Sequence, residues 1–185
     1  ENQIEYVIEE DGKIIKATSF HDKIKEITEK YVHVSDHIKG ILNQVVELAL
    51  DPNPKPLLIM GDVGSGKSIL AEIYGEIRKL LKEGLTWHRE DVSTLPQDTV
   101  SFRSELFGHK KGSFTGADDD KDGLVKSIGE GTLIFDEFGK LPDGVQNYFN
   151  NLLDKKIKKF RPYGGEENED AKCHFVLTMC ESLNK

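Results

Sequence analysis

Residues 61 to 68 read GDVGSGKS and come directly after the short apolar run Leu57–Met60. The eight residues match the pattern G-x-x-x-x-G-K-[ST], whose glycines allow tight turns and let backbone N–H groups face phosphates. A short continuous apolar run is typical of a strand buried on both faces. Beyond the loop, apolar residues recur at helical spacing up to Gly84, which is predicted to end the helix. Those residues are Ile69, Leu70, Ile73, Ile77, Leu80 and Leu81.

A strand, a glycine-rich turn and a helix start in this order predict a phosphate-binding loop for a nucleotide, because the positive end of the helix dipole adds to the N–H groups. We expect Lys67 to reach the β- and γ-phosphates and Ser68 to ligate Mg²⁺. A glycine-rich turn with an ordinary lysine is the alternative, which the strand and helix on either side disfavour. The predicted nucleotide-binding residues of this loop are Gly61, Asp62, Val63, Gly64, Ser65, Gly66, Lys67, Ser68 and Ile69.

A second apolar run, Leu133–Phe135, delivers two adjacent carboxylates, Asp136 and Glu137. Ligands of open α/β sheets bind at the carboxyl ends of the strands. Asp136 is therefore predicted to hold Mg²⁺ through water and Glu137 to polarise the attacking water as a general base. Two solvated acids at a strand end are the alternative, which a neighbouring phosphate loop makes the weaker interpretation.

The rest of the chain alternates between strand and helix patterns, which predicts an α/β fold with a parallel sheet. The further predicted segments are an N-terminal hairpin around Glu10-Asp11-Gly12, a short helix at about residues 21–30, a helix capped by Ser35, strands at Thr86–Glu90 and Phe175–Leu177, and a helix at about residues 143–159. We expect residues 1–30 to form an extension and residues 31–185 to form the nucleotide-binding core.

Composition excludes several classes of protein. The 185 residues carry 25 lysines and arginines against 33 aspartates and glutamates, a net charge of −8 that argues against nucleic-acid binding by bulk charge. No apolar run approaches the ~20 residues of a membrane-spanning helix. The two cysteines, Cys173 and Cys180, make no disulfide framework, and we expect a reducing, cytoplasmic setting.

Residues 104 to 117 read SELFGHKKGSFTGA. Gly112 and Gly116 flank Phe114, which would stand at the tip of a mobile loop beside two lysines. An exposed aromatic residue on such a loop suggests contact with a partner. Alternatively, Phe114 packs into the core and the glycines only turn the chain. The spacing leaves both interpretations open.

This segment resembles the signature of the AAA+ domain of sigma-54-dependent transcriptional activators. The loop motif of that family is GAFTGA, and residues 112–117 read GSFTGA; residues 129–146, GEGTLIFDEFGKLPDGVQ, are similar to the segment GGTLFLDEIGELP of the family. The resemblance implies a P-loop NTPase core of the AAA+ class, with helices on both faces of a parallel sheet of strand order 5-1-4-3-2. We expect the fifth strand and the helical lid to be absent from this chain, which we take to be a fragment.

The resemblance also implies a function. Members of the family form ring hexamers with ATP bound between subunits, and ATP hydrolysis moves the loop against the sigma-54 RNA polymerase holoenzyme. By position, Phe114 and Thr115 would be the pair that contacts sigma-54, and Arg161 would act in the site of the neighbouring subunit. We expect no direct DNA binding by this fragment.

Several positions depart from the family pattern. Asp91 stands where an asparagine restrains the catalytic glutamate, Cys180 stands at the sensor asparagine, and His174 replaces a second arginine. Pro162 follows Arg161, which lies one position early in its motif. These departures leave two alternatives open: a divergent AAA+ protein that acts on another protein target, and a nucleotide-gated interaction module with little or no hydrolysis.

The acidic stretch Asp118–Asp122 begins like a calcium-binding loop, D-x-D-x-D-G. Such a loop needs a bidentate glutamate at its twelfth position. Gly129 occupies that position here, so a calcium site is not predicted.

Overall fold

The computed structural model describes residues 8–10, 13–15, 17–31, 36–96, 98–141, 145, 147–154 and 156–180. Within these ranges the helices alternate with the strands of the central sheet, as the sequence pattern predicts. The helices are α1 (Ala17–Tyr31), α2 (Asp36–Leu50), α3 (Lys67–Lys79), α4 (Thr99–Phe107), α5 (Leu124–Ser127) and α6 (Phe149–Leu153), with a 3₁₀ turn at Phe138–Lys140.

The central sheet is parallel and has the order β3-β10-β7-β4. Its strands are β3 (Leu57–Gly61), β4 (Trp87–Asp91), β7 (Thr132–Asp136) and β10 (His174–Cys180). Numbered by their place in the chain, the four described strands run 1-4-3-2, which confirms that part of the order implied by the family resemblance. The carboxyl ends of all four strands meet at one edge, where the candidate site lies.

The sheet separates two hydrophobic clusters. Successive residues of a strand point to opposite faces, and accordingly Leu133 and Phe135 join one cluster while Ile134 joins the other. Helices α4 and α6 cover the first face, and α2 and α3 cover the second. All five residues of β7 are buried. A strand covered on both faces is held rigidly, so Asp136 at its end is fixed in position.

In the described part of the chain, three two-stranded ribbons lie outside the central sheet. Antiparallel pairing of β1 (Ile8–Glu10) with β2 (Lys13–Ile15) confirms the predicted N-terminal hairpin. The other two ribbons pair β5 (Gly108–His109) with β6 (Lys121–Asp122) and β8 (Lys159–Phe160) with β9 (Glu169–Asp170). Helix α1 packs on α3 and contributes Ile24 to the second hydrophobic cluster.

The structure corrects the helix predicted at residues 143–159. Of that range, helix α6 takes Phe149–Leu153, and the chain leaves the helix at Asp154. The carboxylate of Asp154 accepts hydrogen bonds from the backbone N–H groups of Lys156 (2.7 Å) and Ile157 (3.1 Å), which turns the chain toward β8. Ile157, which continues the apolar spacing of the predicted helix, is 45% exposed.

Two boundaries also differ from the sequence predictions. Helix α1 begins at Ala17 rather than near residue 21. Helix α3 ends at Lys79, before Gly84, and Ile69 on its first turn is exposed rather than buried. Ser35, the predicted cap of α2, lies outside the described residues.

Candidate nucleotide-binding site

The loop between β3 and α3 has the backbone that its glycines allow. Gly64 and Gly66 adopt positive φ angles of 79° and 86°, a region that side chains disfavour. A Cβ atom on Gly61 would lie 2.9 Å from Ser65 Oγ, so the loop also closes tightly at its start. Helix α3 begins at Lys67. The positive end of its dipole and its free N–H groups therefore face the loop.

Lys67 lies against this loop. Its ammonium group donates a 2.6 Å hydrogen bond to the carbonyl oxygen of Asp62. Val63, which follows Asp62 in the loop, is 87% exposed. The lysine charge is thus held beside the N–H groups of the loop, which is where a phosphate would need both.

Ser68 meets Asp136 although 68 positions separate them in the chain. The Ser68 hydroxyl lies 2.9 and 3.1 Å from the two carboxylate oxygens of Asp136. Magnesium prefers oxygen ligands and is usually held by one or two protein groups together with water and substrate phosphates. No group of three or more His, Cys, Asp or Glu residues that could hold a metal occurs in the described part of the chain. A hydroxyl and one carboxylate beside a phosphate loop fit a magnesium ion of this shared kind.

Asp136 is almost fully buried and receives hydrogen bonds from both neighbouring strands. The Arg89 guanidinium on β4 donates to it through Nε at 3.0 Å and also through Nη2, and the Thr178 hydroxyl on β10 donates from the other side. Burial alone would raise the pKa of Asp136, but the hydrogen bonds from Thr178, Ser68 and Arg89 outweigh it and lower the pKa below its ordinary value. The carboxylate therefore stays ionised.

Two residues of this site, Arg89 and Thr178, were not predicted from the sequence. Arg89 also pairs with Glu72 of α3 at 2.7 Å, and Thr178 is completely buried. Neither residue belongs to a recognisable motif. Their role depends on the strand order, which places β4 and β10 on either side of β7, so only the three-dimensional neighbourhood could reveal them.

Glu137 follows Asp136 in a left-handed backbone conformation, with φ at 57°. Its backbone N–H donates a 3.1 Å hydrogen bond to the Thr178 hydroxyl oxygen. The carboxylate, in a side chain that is 45% exposed, forms an ion pair with Lys140. The hydrogen bond to Glu137 is the main reason that the pKa of Lys140 is raised, and Asp91 and Asp136 add to it through their charges. Glu137 thus lies at the sheet edge, but a lysine holds its carboxylate.

Asp91 and Cys180 lie at the same edge of the sheet. Asp91 is the register partner of Asp136, and Cys180 is the register partner of Gly61. The Asp91 carboxylate accepts hydrogen bonds from the backbone N–H (2.9 Å) and the hydroxyl (2.7 Å) of Ser93. The structure therefore places both residues at the sheet edge that carries the phosphate loop, with Asp91 turned toward Ser93.

Arg161 lies apart, in the connection between β8 and β9. Its side chain is exposed and donates a 3.1 Å hydrogen bond to the Asn168 side-chain oxygen. Pro162, the next residue, is buried. An exposed arginine on a surface turn is available to a neighbouring molecule.

Residues 112 to 117 form a compact turn rather than an extended arm. Gly112 N–H donates to the Ala117 carbonyl at 2.7 Å, and Ala117 N–H donates to the Phe114 carbonyl at 3.0 Å. The half-buried Phe114 ring packs edge-on against His109 (5.0 Å) and Tyr163 (5.8 Å). Phe114 is therefore neither at a free tip nor in a hydrophobic core cluster, while Thr115 is exposed.

The turn at residues 112 to 117 rests on the connection that carries Arg161. Lys110 N–H donates to the Tyr163 carbonyl (3.0 Å), and a Cβ atom on Gly164 would lie 2.3 Å from Ser113 Cβ. The Arg103 guanidinium lies 4.9 Å from the Tyr163 ring centre and 4.9 Å from that of Tyr148. The two segments thus pack as one surface.

The acidic stretch after this turn is engaged by lysines. Asp120 accepts from Lys111 N–H (2.8 Å) and from Lys110 Nζ (3.0 Å), and Asp122 pairs with Lys126 at 2.9 Å. The bonds from Lys111 N–H and Lys110 lower the pKa of Asp120.

Comparison with known proteins identifies the family. The sigma-54 interaction domain matches residues 30–185. The chain belongs to this family. The chain is 38% identical over 153 residues to the transcriptional regulatory protein LevR of Bacillus subtilis (strain 168), and the match covers 77% of this chain and 16% of LevR. It is 32% identical over 150 residues to the transcriptional regulatory protein RtcR of Escherichia coli (strain K12), covering 80% of this chain and 27% of RtcR.

The fold of this sigma-54 interaction domain is also found in solved structures. NtrX from Brucella abortus superposes with a TM-score of 0.65 at 19% identity, covering 90% of this chain and 35% of NtrX. NtrX crystallised in complex with ATP gives a TM-score of 0.61 at 18% identity, again covering 90% of this chain and 35% of NtrX. The chain spans about a third or less of these relatives. None of its described helices has the length and apolar character that crossing a bilayer requires.

Proposed function

We propose that this sigma-54 interaction domain binds and hydrolyses ATP with Mg²⁺ as a subunit of a hexameric ring, and that hydrolysis moves the turn at residues 112–117 against the sigma-54 RNA polymerase holoenzyme. The single observation that carries the proposal is the meeting of Ser68 with Asp136 at the phosphate loop, directly before Glu137. This arrangement supplies an anion cradle, two magnesium-binding oxygens and a candidate general base at one sheet edge.

The residues divide the work of the reaction. The loop N–H groups and Lys67 bind and orient the phosphates, and Ser68 and Asp136 would hold the magnesium ion. When bound, the ion neutralises the charge that develops on the phosphates. Glu137 accepts the proton of the attacking water through its carboxylate. The hydrogen bond from the Glu137 backbone N–H to Thr178 fixes the main chain from which the Glu137 side chain extends.

In the proposed ring, each nucleotide site receives an arginine from the neighbouring subunit. Arg161 is exposed on a surface turn, and its proposed role is to stabilise the transferring phosphoryl group in the site of the neighbouring subunit. The turn bearing Phe114 packs on the same connection through Tyr163. Movement of Arg161 toward a nucleotide would therefore displace the surface on which Phe114 rests. Phe114 and the exposed Thr115 are proposed to contact sigma-54.

The remaining parts of the proposal concern location and other partners. The net charge of −8 supports a role without direct DNA contact by this domain. Ion pairs of Lys110 with Asp120 (3.0 Å) and of Lys111 with Asp119 (3.7 Å) neutralise the basic residues of the loop region. We place the reaction in the cytoplasm, where both ATP and RNA polymerase are found.

ATP hydrolysis across a series of protein concentrations tests the proposal. The variants are Glu137→Gln and, as a matched control for an exposed glutamate on α2, Glu47→Gln. The specific activity of the wild type and of the control should rise with concentration, because assembly brings Arg161 to the neighbouring site. Glu137→Gln should bind ATP without turning it over. Equal activity of Glu137→Gln and wild type would refute the assignment of the base.

A nucleotide-gated interaction module is the second candidate function. It is favoured by the ion pair of Glu137 with Lys140 and by the engagement of Asp91 with Ser93, which leave the base bound and the neighbouring carboxylate turned aside. This function predicts ATP binding with no turnover at any concentration. Binding of sigma-54 to the domain with ATP or a transition-state analogue then separates a sigma-54 partner from another protein target.

A further inference from the structure

A cleft of about 590 Å³ lies at the opposite edge of the sheet from the phosphate loop. One wall is formed by Arg78 near the end of α3 and by Lys82 just beyond that helix, and the start of β10 forms another wall through His174. Helix α3 has 13 residues and begins at the phosphate loop, so at 1.5 Å per residue the two sites lie roughly 20 Å apart along it. The cleft is therefore separate from the candidate nucleotide-binding site.

The charged lining of this cleft is strongly positive. Four cations, Arg78, Lys82, Lys158 and Lys172, face one carboxylate, Glu130, which gives 4 − 1 = +3. Lys82 already pairs with Glu130 at 2.6 Å, and this hydrogen bond is the main cause of the lowered pKa of Glu130. The surplus charge comes from the other three cations. This local surplus of positive charge contrasts with the net charge of −8 of the whole chain.

Arg78 is the buried member of this set, with 7% of its surface exposed. Its Nη1 donates to the carbonyl oxygens of Ala49 (3.0 Å) and Asp51 (2.8 Å), and its Nη2 lies 2.9 Å from His174 Nε2. A guanidinium group can only donate, so Nε2 is the acceptor and the proton of the neutral imidazole sits on Nδ1. Burial, followed by the charge of Arg78, lowers the pKa of His174 to about 4, so the ring is neutral at pH 7.

Two buried N–H groups beside this cleft have no acceptor among the described residues. They are Arg78 Nε and His174 Nδ1. A buried donor without a partner costs free energy, and an anionic oxygen satisfies such donors best. The surplus positive charge of the lining therefore points to an anionic ligand, and the buried donors beside the cleft favour an anion as well.

We propose that this cleft binds a small phosphorylated organic molecule. A phosphate monoester carries close to two negative charges at neutral pH, which Arg78, Lys158 and Lys172 neutralise. Leu50, Leu81 and Leu85 supply an apolar surface for the organic part. The volume lies within the ~300–1,000 Å³ range of small-molecule sites. Because α3 joins the cleft to the phosphate loop, the ligand occupies a position from which it can influence nucleotide binding.

The test uses protein carrying Lys67→Ala, which removes phosphate binding at the nucleotide site. Glucose 6-phosphate and inorganic phosphate are titrated, followed by calorimetry and by the ¹⁵N NMR signals of Arg78 Nε–H and His174 Nδ1–H. Both signals should shift with glucose 6-phosphate, and glucose should leave them unmoved. Lys158→Gln with Lys172→Gln should weaken binding about tenfold or more.

A matched double variant, Lys23→Gln with Lys79→Gln, removes the same charge from exposed positions outside the cleft. Retained affinity in this control, with loss in the cleft variant, supports the site. An equal loss in both variants would show attraction by bulk charge and overturn the proposal. So would unmoved side-chain signals at millimolar ligand, or binding of citrate as tight as that of glucose 6-phosphate, which would remove the preference for phosphate.

Discussion

Replacing Thr178 by valine isolates one hydroxyl group that serves both acidic residues of the candidate site. Thr178 is completely buried, donates to the Asp136 carboxylate and accepts from the Glu137 backbone N–H. Valine keeps the branched shape and removes only the hydrogen bonds. A hydrogen bond to a charged group is worth ~1.5–3 kcal/mol, and an unsatisfied buried donor costs a further ~1–3 kcal/mol. We expect Thr178→Val to lower the free energy of unfolding by about 3 kcal/mol.

Thermal unfolding followed by circular dichroism measures this change. At ~2–4 °C per kcal/mol for a chain of this size, the midpoint should fall by about 6–12 °C. Thr178→Ser is the matched control, because it keeps the hydroxyl and loses one buried methyl group, at a cost of ~1 kcal/mol. A serine variant as unstable as the valine variant would refute the reasoning, since packing rather than hydrogen bonding would then explain the loss.

The same variant carries a pH signature. The pKa of Asp136 is lowered in the fold, so its hydrogen bonds stabilise the protein above the ordinary aspartate value of 3.8. That contribution is lost as the pH falls through the lowered value. The difference in stability between wild type and Thr178→Val should therefore narrow in acid, and a difference that stays constant from neutral pH to below pH 3 would contradict it.

Three further predictions concern other parts of the fold. Lys140→Ala should raise the rate of ATP hydrolysis with little change in the unfolding midpoint, because it releases the carboxylate of Glu137 from an exposed ion pair; a slower rate would show that Lys140 positions the base. Gly164→Ala should speed tryptic cleavage in the loop at residues 110–117, because the added Cβ collides with it, whereas Gly84→Ala, at a similar φ with open space around it, should not. The His174 ring should stay neutral down to about pH 4 in an NMR titration, so protonation of the unfolded chain should erode stability as the pH falls from about 6.5.

Local patterns in the sequence predicted the framework well. The strand–loop–helix unit around Lys67 needs only an apolar run, glycines and a helical repeat, all of which lie within consecutive residues. Strand β7 could be predicted for the same reason, because its apolar run also consists of consecutive residues. The strand order came from the family resemblance rather than from the residues, because pairing between strands joins positions that are far apart in the chain.

The helix predicted at residues 143–159 shows where local reasoning fails. The apolar spacing of Val145, Phe149 and Leu152 is real, and all three residues are buried. Ile157 continues the spacing, but the Asp154 carboxylate captures the next N–H groups and ends the helix. A capping side chain competes with helix propagation, and periodicity alone does not weigh that competition.

The pairing of side chains at the site also could not be predicted from the sequence. Spacing placed Glu137 correctly at a strand end, but the ion pair with Lys140 depends on the left-handed turn of the backbone there. The packing of Phe114 between His109 and Tyr163 likewise joins distant segments. Neither of the two interpretations left open for Phe114 described this surface position.

At position 137 stability and catalysis favour different residues. The left-handed backbone favours glycine, whereas the proposed reaction needs the carboxylate of Glu137. For an L-residue with a side chain the left-handed conformation costs roughly 1–2 kcal/mol of free energy, whereas glycine adopts it without a steric cost. Selection for stability alone would therefore drive this position toward glycine, and the glycine variant should be the more stable protein. The position is a natural reporter in mutational libraries: chains screened only for folding should drift to glycine here, whereas chains screened for turnover should keep the acid.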